Sequence, residues 1–131
     1  MATNDLDNFF KQSITVNYNG EQFEFRIPSM KDKITIDGVA AKLRRDGDPD
    51  GIGLVYGYDP MALGFTIALA KFSTLIKGGP PWVYTPDKDG KPTIDINKWP
   101  DNTPIEEVVA ELDKQLDEFR EKWNKSKPPT N

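Results

Sequence analysis

Ile105, Val108, Val109, Leu112, Leu116, Phe119 and Trp123 recur at steps of three and four residues, and no other feature restricts the possible folds so sharply. That spacing places them on one face of an α-helix of almost six turns. Thr103-Pro104-Ile105-Glu106 supplies a start signal, with Thr103 as N-cap, Pro104 at the first position and Glu106 at the third. The other face carries Glu106, Glu107, Glu111, Asp113, Asp117, Glu118 and Glu121 against Lys114, Arg120 and Lys122, a net charge of −4. A helix with a broad apolar stripe has to bury it, so the remaining chain, or a partner, must offer a complementary surface.

A β-hairpin is the first candidate. Ile14, Val16 and Tyr18 alternate with polar residues, Asn19-Gly20 follows, and Phe23, Phe25 and Ile27 alternate again. Asn-Gly suits a tight turn with two positive φ angles, so 13–19 and 21–27 read as paired strands with one aromatic, buried face. Pro28-Ser29 ends the hairpin, and Ser29 reads as N-cap of a helix through Arg45, with Asp32 a weaker capping partner than Glu or Gln. Ile34, Ala40, Ala41 and Leu43 are expected to share its buried face, and Lys33–Asp37 forms an i, i+4 pair. Residues 31–45 carry a net +3.

Residues 46–59 read as a glycine-rich connector. Asp59-Pro60 then starts the second helix in chain order, in which Met61, Leu63, Phe65, Ile67, Leu69, Phe72, Leu75 and Ile76 leave little polar circumference. Such a helix belongs in a core or a subunit interface. Lys77-Gly78 is expected to close it. Gly79-Pro80-Pro81 forces an extended corner, after which 82–85 and 93–96 either pair loosely around PDKDGKP or run along the surface. The expected architecture is α+β and helix-dominated: one domain over 13–124, an N-terminal hairpin and about three helices, the C-terminal one longest. Residues 1–12 could add a short helical turn through Leu6, Phe9 and Phe10, and 125–131 read as a disordered tail.

Composition narrows the chemistry. The chain has neither cysteine nor histidine, which removes disulfides, thiolate metal sites, the Ser-His-Asp triad and nearly every zinc or iron site. The overall charge of −4 argues against nucleic acid as the main partner. No stretch approaches the roughly 18 apolar residues of a membrane span, and the first ten residues lack the plan of a signal peptide, so an intracellular protein with no membrane partner is expected.

Asp46, Asp48, Asp50 and Gly51 reproduce the first half of a calcium loop, D-x-D-x-D-G. The second half is missing: the eighth and twelfth loop positions, counted from Asp46, are Gly53 and Gly57 where an apolar residue and a bidentate carboxylate belong. A solvated turn, serving as a flexible hinge, is the better reading. Asp87-Lys88-Asp89-Gly90 is a turn for similar reasons. Glu107–Glu111 and Asp113–Asp117 lie on the exposed helix face, where nothing would shift their pKa values. Gly51 and Gly53 lack the third glycine of a dinucleotide fingerprint. No cofactor or metal is implied.

The run FEFRIPSMKDKITI (23–36) resembles the tail assembly chaperones of long-tailed bacteriophages of the siphovirus type. In that family a strand ending in F-x-F-R-I-P-S opens a helix through a charged residue and Asp. The glycine-rich middle, apolar helix and acidic C-terminal helix also fit, over about 20–125. The resemblance implies a non-enzymatic protein of the host cytoplasm, absent from the virion, that keeps the tape measure protein soluble while the tail tube polymerises. It further implies self-association into a homo-oligomer, and engagement of the tail tube protein through a longer frameshifted form; this chain would be the short, unextended one. On that reading Phe65 and Phe72 of the apolar helix, and Leu112, Leu116, Phe119 and Trp123 of the last helix, are candidates for the client or self-association surface. The last-helix residues could equally cover the hairpin of their own chain. Two rival functions remain: a calcium-dependent regulatory or adaptor module, and a structural tail or head-completion subunit.

Overall fold

A computed structural model describes residues 13–126; the expectations for 1–12 and 127–131 lie outside the described residues. The hairpin forms as its alternation predicts. β1 (Ser13–Tyr18) pairs antiparallel with β2 (Glu21–Arg26) in the register Val16 opposite Phe23 and Ile14 opposite Phe25. Asn19 and Gly20 both take positive φ, 50° and 79°, the geometry expected of Asn-Gly in a two-residue turn. Ile14, Val16, Phe23 and Phe25 all face inward and are buried.

Helix α1 (Met30–Asp46) starts on a complete capping box. The Ser29 hydroxyl accepts from the Asp32 amide at 3.2 Å and the Asp32 carboxylate accepts from the Ser29 amide at 3.0 Å, so Asp32 fills the role despite its short side chain. Arg26, at the end of β2, donates Nη1 and Nη2 to the two Asp32 oxygens at 3.0 Å each. The same Nη2 donates to the Thr74 carbonyl at 2.8 Å. One side chain thus clips β2, the start of α1 and the end of the apolar helix together. The buried face of α1 differs from expectation. Ile36 and Ala40 are inward with Asp32, whereas Ile34 is 70% exposed. Lys33 and Asp37 are both exposed and do not pair with each other.

The 46–59 connector contains a fourth, short helix, α2 (Ile52–Tyr56). Helix α3 (Pro60–Leu75) follows, capped by the Asp59 carboxylate, which accepts from the Met61 amide at 3.1 Å. Lys77-Gly78 does not close α3. The chain turns extended at Ile76 and continues at once as a third strand, β3 (Ile76–Gly78), antiparallel to β2, giving the order β1-β2-β3. Three residues are too few to show alternation in a sequence.

The 79–104 segment is more structured than its prolines suggest. Short 3₁₀ turns at Pro81–Val83 and Ile96–Lys98 flank a two-residue pairing of β4 (Thr85–Pro86) with β5 (Pro92–Thr93). The turns bring Trp82 and Trp99 against Phe72, Trp99 edge-on at 5.1 Å between centroids. Trp99 Nε1 donates to the Val83 carbonyl at 2.9 Å, so the buried indole leaves no donor unmet. Finally α4 (Ile105–Ser126) packs against β1 and α3, extending two residues into the segment read as tail. Thr103 does not cap it by side chain: its Oγ donates to the Pro100 carbonyl, and the Pro104 carbonyl accepts the first helical bond, from Val108. The core lies between the sheet, the second half of α3, the Trp82–Trp99 segment and the first half of α4.

Candidate functional site: an uncovered apolar stripe

The expected contact residues divide into two groups. Phe72 and Leu112 are fully buried and Leu116 is nearly so. Packed inside their own chain, they have no free surface to offer. The stripe of α4 is therefore spent largely on β1 and α3, which bury Leu112 and Leu116 within their own chain. Phe119 and Trp123, near the end of α4, are half-buried, and their rings stack at 6.4 Å. Phe65 is different, at 40% exposed.

The difference follows the position along α3. On α3, Phe72, Leu69, Ala68, Phe65 and Met61 fall in one line, because Phe65 and Met61 precede Phe72 by seven and eleven residues, close to two and three helical turns. The second half of that line, from Ala68 onward, is buried. The first half is not: Met61 is 82% exposed and Ile67, further round, 43%. Buried positions on α1 likewise stop at Ala40. The end of α1, α2 and the first half of α3 thus form a helical arm beyond the core. Its bare length on α3, residues 60–67, is about 12 Å at 1.5 Å per residue.

The arm's tip is built by the aspartate-glycine stretch. Asp48 accepts from the Ile52 amide at 3.0 Å and the Gly53 amide at 2.9 Å, so both its oxygens serve to start α2. Asp46 pairs with Lys42 at 3.4 Å. Among the described residues, no three acidic side chains gather as a cation would require. Gly51 sits at φ 70° and Gly57 at φ 89°, so glycine is needed at both ends of α2. Gly53 lies under the ring of Tyr58, where any Cβ would overlap it. Partial desolvation, and then the facing Asp48 carboxylate, push the Tyr58 hydroxyl pKa up. Held this way, α2 turns Leu54, Val55 and Tyr56 outward at 74%, 74% and 84% exposure. Sequence reasoning missed these three; the signal was the run Ile52–Tyr56 inside a stretch otherwise made of turn residues.

The acidic face of α4 is less uniform than expected. Lys71 of α3 donates to both Asp113 oxygens at 3.2 Å, and Glu111 accepts from Gln115 at 3.2 Å. Lys33, Lys71, Asp113, Asp117 and Arg120 line a cleft of about 450 Å³ between α1, α3 and α4. Among the described residues, no helix is long and apolar enough to cross a membrane.

No family model, no curated protein and no solved structure matches this chain.

Proposed function

We propose that this protein is a non-enzymatic tail assembly chaperone, which binds the tape measure protein through the bare stripe of α3 and keeps it soluble in the host cytoplasm during tail tube assembly. The observation that carries the reading is the uncovered continuation of a core stripe, Phe65 and Met61 in line with Phe72 on one capped helix. A tape measure protein is a long helix with its own apolar stripe, and such a helix fits a linear apolar track as a helix-in-groove ligand. Several weak contacts of this kind along one client would add through multivalency. The sequence resemblance at 23–36 supports the same reading. Its conspicuous residues, Arg26, Ser29 and Asp32, form the clip at the arm's base and so position the stripe without being part of it. Engagement of the tail tube protein belongs to a longer, frameshifted form under this proposal.

The test is co-expression with the tape measure protein of the same virus. Wild-type chain is expected to keep the client in the soluble fraction, and Met61→Asp with Phe65→Asp to lose that effect while melting at an unchanged temperature. Client solubility retained by the double variant would refute the assignment of the stripe. Purified particles that contain the chain would favour a structural tail subunit instead.

A further inference from the structure

The hairpin turn, the 3₁₀ turn of Trp82 and the start of α4 enclose a groove of about 490 Å³, within the size range of small-molecule sites. Tyr18 and Trp82 give it aromatic walls, with Pro100 and Pro104 beside them. Among the described residues, its only charged lining groups are the carboxylates of Glu21 and Glu107. The cleft between α1, α3 and α4 differs, because three cations accompany two carboxylates there. No residue of α3 lines the groove, so it is separate from the bare stripe.

Trp82 is fixed in place from several directions. Its ring stacks on Phe72 at 6.3 Å between centroids and meets Phe23 and Trp99 edge-on at 5.9 and 5.8 Å. Its Nε1 donates to Glu21 Oε2 at 2.8 Å. A side chain held this way has little rotamer freedom left to lose when a ligand binds. Donation to a carboxylate also polarises the indole and strengthens the pull of its ring on a cation. The same bond spends the indole donor, and no lysine or arginine lines the groove, so an anion finds no charged donor there. Neither Glu107 nor Glu21 Oε1 has a partner among the described residues. The polarity of a helix start accounts for an acid at Glu107, but Glu21 comes from β2. Two rings and two carboxylates from separate elements thus converge on one space.

We propose that this groove binds an organic cation, an alkylammonium or guanidinium group, set against the Trp82 and Tyr18 rings with its N–H groups donated to Glu21 and Glu107. The chemistry has two sources, a free polyamine or a lysine or arginine side chain on a partner's peptide. The site does not depend on the client reading, since it is measured on this chain alone.

NMR titration of the isotope-labelled chain tests it, with spermidine in one arm and a short peptide carrying one arginine and one lysine in the other. The Trp82 indole N–H and the Asn19 and Gly20 amides are expected to shift saturably, and Gly53 in the arm to stay still. Glu107→Gln and Glu21→Gln should each weaken binding about fivefold, and together about 25-fold. Glu106→Gln removes the same first-turn charge outside the groove and should change binding less than about twofold. Melting temperatures show that each variant folds. Saturation by spermidine alone supports the site and assigns a free polyamine; saturation by the peptide alone supports it and assigns a partner's side chain. No saturable shift from either probe at about 10 mM would overturn the proposal. So would equal losses in Glu106→Gln and Glu107→Gln, shifts centred on Glu118 and Glu121 of α4, or equal binding of the peptide with citrulline and acetyl-lysine in place of its cations.

Discussion

Asp32→Ala removes the acceptor that ties Arg26 of β2 to the start of α1, and its cost follows from the geometry. The Asp32 carboxylate accepts from Arg26 Nη1, Arg26 Nη2 and the Ser29 amide, each at 3.0 Å. Loss of half a capping box costs about 1 kcal/mol. The Arg26 side chain is 43% exposed and keeps its bond to Thr74, so water takes up much of what the guanidinium loses; a screened pair of this kind contributes about 1 kcal/mol more. The sum of about 2 kcal/mol corresponds to a fall in melting temperature of roughly 6–10 °C for a chain of this size. Thermal and urea unfolding followed by circular dichroism measure it, with Asp32→Asn, which preserves shape and one acceptor, expected to fall between. The pH dependence supplies an independent check. Burial opposes ionisation of Asp32, but the Ser29 amide and the Arg26 guanidinium outweigh it, and its carboxyl lies below the usual aspartate value. A depressed folded pKa stabilises above the unfolded pKa of about 3.9, and that stabilisation is lost as pH falls through the folded value. The gap between wild type and Asp32→Ala should therefore be constant near neutrality and close only at pH values below about 4. A loss under about 0.5 kcal/mol, or a gap that closes well above pH 5, would refute the clip as a stabilising device.

Two further outcomes separate the core from the arm. Phe72→Ala should cost about 3–5 kcal/mol, since it empties a fully buried site against which Phe23, Phe25 and Trp99 pack edge-on, whereas Phe65→Ala, about two turns along the same helix line, should cost less than about 1 kcal/mol in chemical denaturation. Gly53→Ala should displace the Tyr58 ring and destabilise the tip by about 1–2 kcal/mol, visible as faster amide exchange at Ile52 and Gly53, and adding Tyr58→Ala should recover part of that loss.

The parts of this fold that could be read in the sequence are those set by local pattern. The Asn19-Gly20 hairpin and the long C-terminal helix carry complete signals within a dozen or two residues each, and both form as read. The helix of 60–75 was also legible, but its division was not: its residues are apolar along the whole length, and only the packing of distant elements against its second half decides which half is covered. The third strand is too short to have a pattern. Trp82 and Trp99 meet Phe72 through turns whose pairing is non-local, so no window of sequence contains the cluster. Size and periodicity mark a core and an interface equally. They do not separate Leu112, Leu116 and Phe72, which are buried in their own chain, from Phe65, Met61, Leu54, Val55 and Tyr56, which are exposed. Asp48 shows the converse. Its spacing imitated a cation ligand, yet its oxygens are occupied by the amides of the helix it starts.

The division of α3 into a covered and a bare half has a consequence for how this chain can vary. Residues 68–75 of α3 answer to the fold and tolerate little, while residues 60–67 of the same helix answer only to whatever they touch. A change at Met61 or Phe65 can retune a contact with almost no cost in folding, and a change at Phe72 cannot. One helix therefore holds two mutational regimes end to end, and the boundary between them, at Ile67 and Ala68, is where substitution rates among related chains should step from fast to slow.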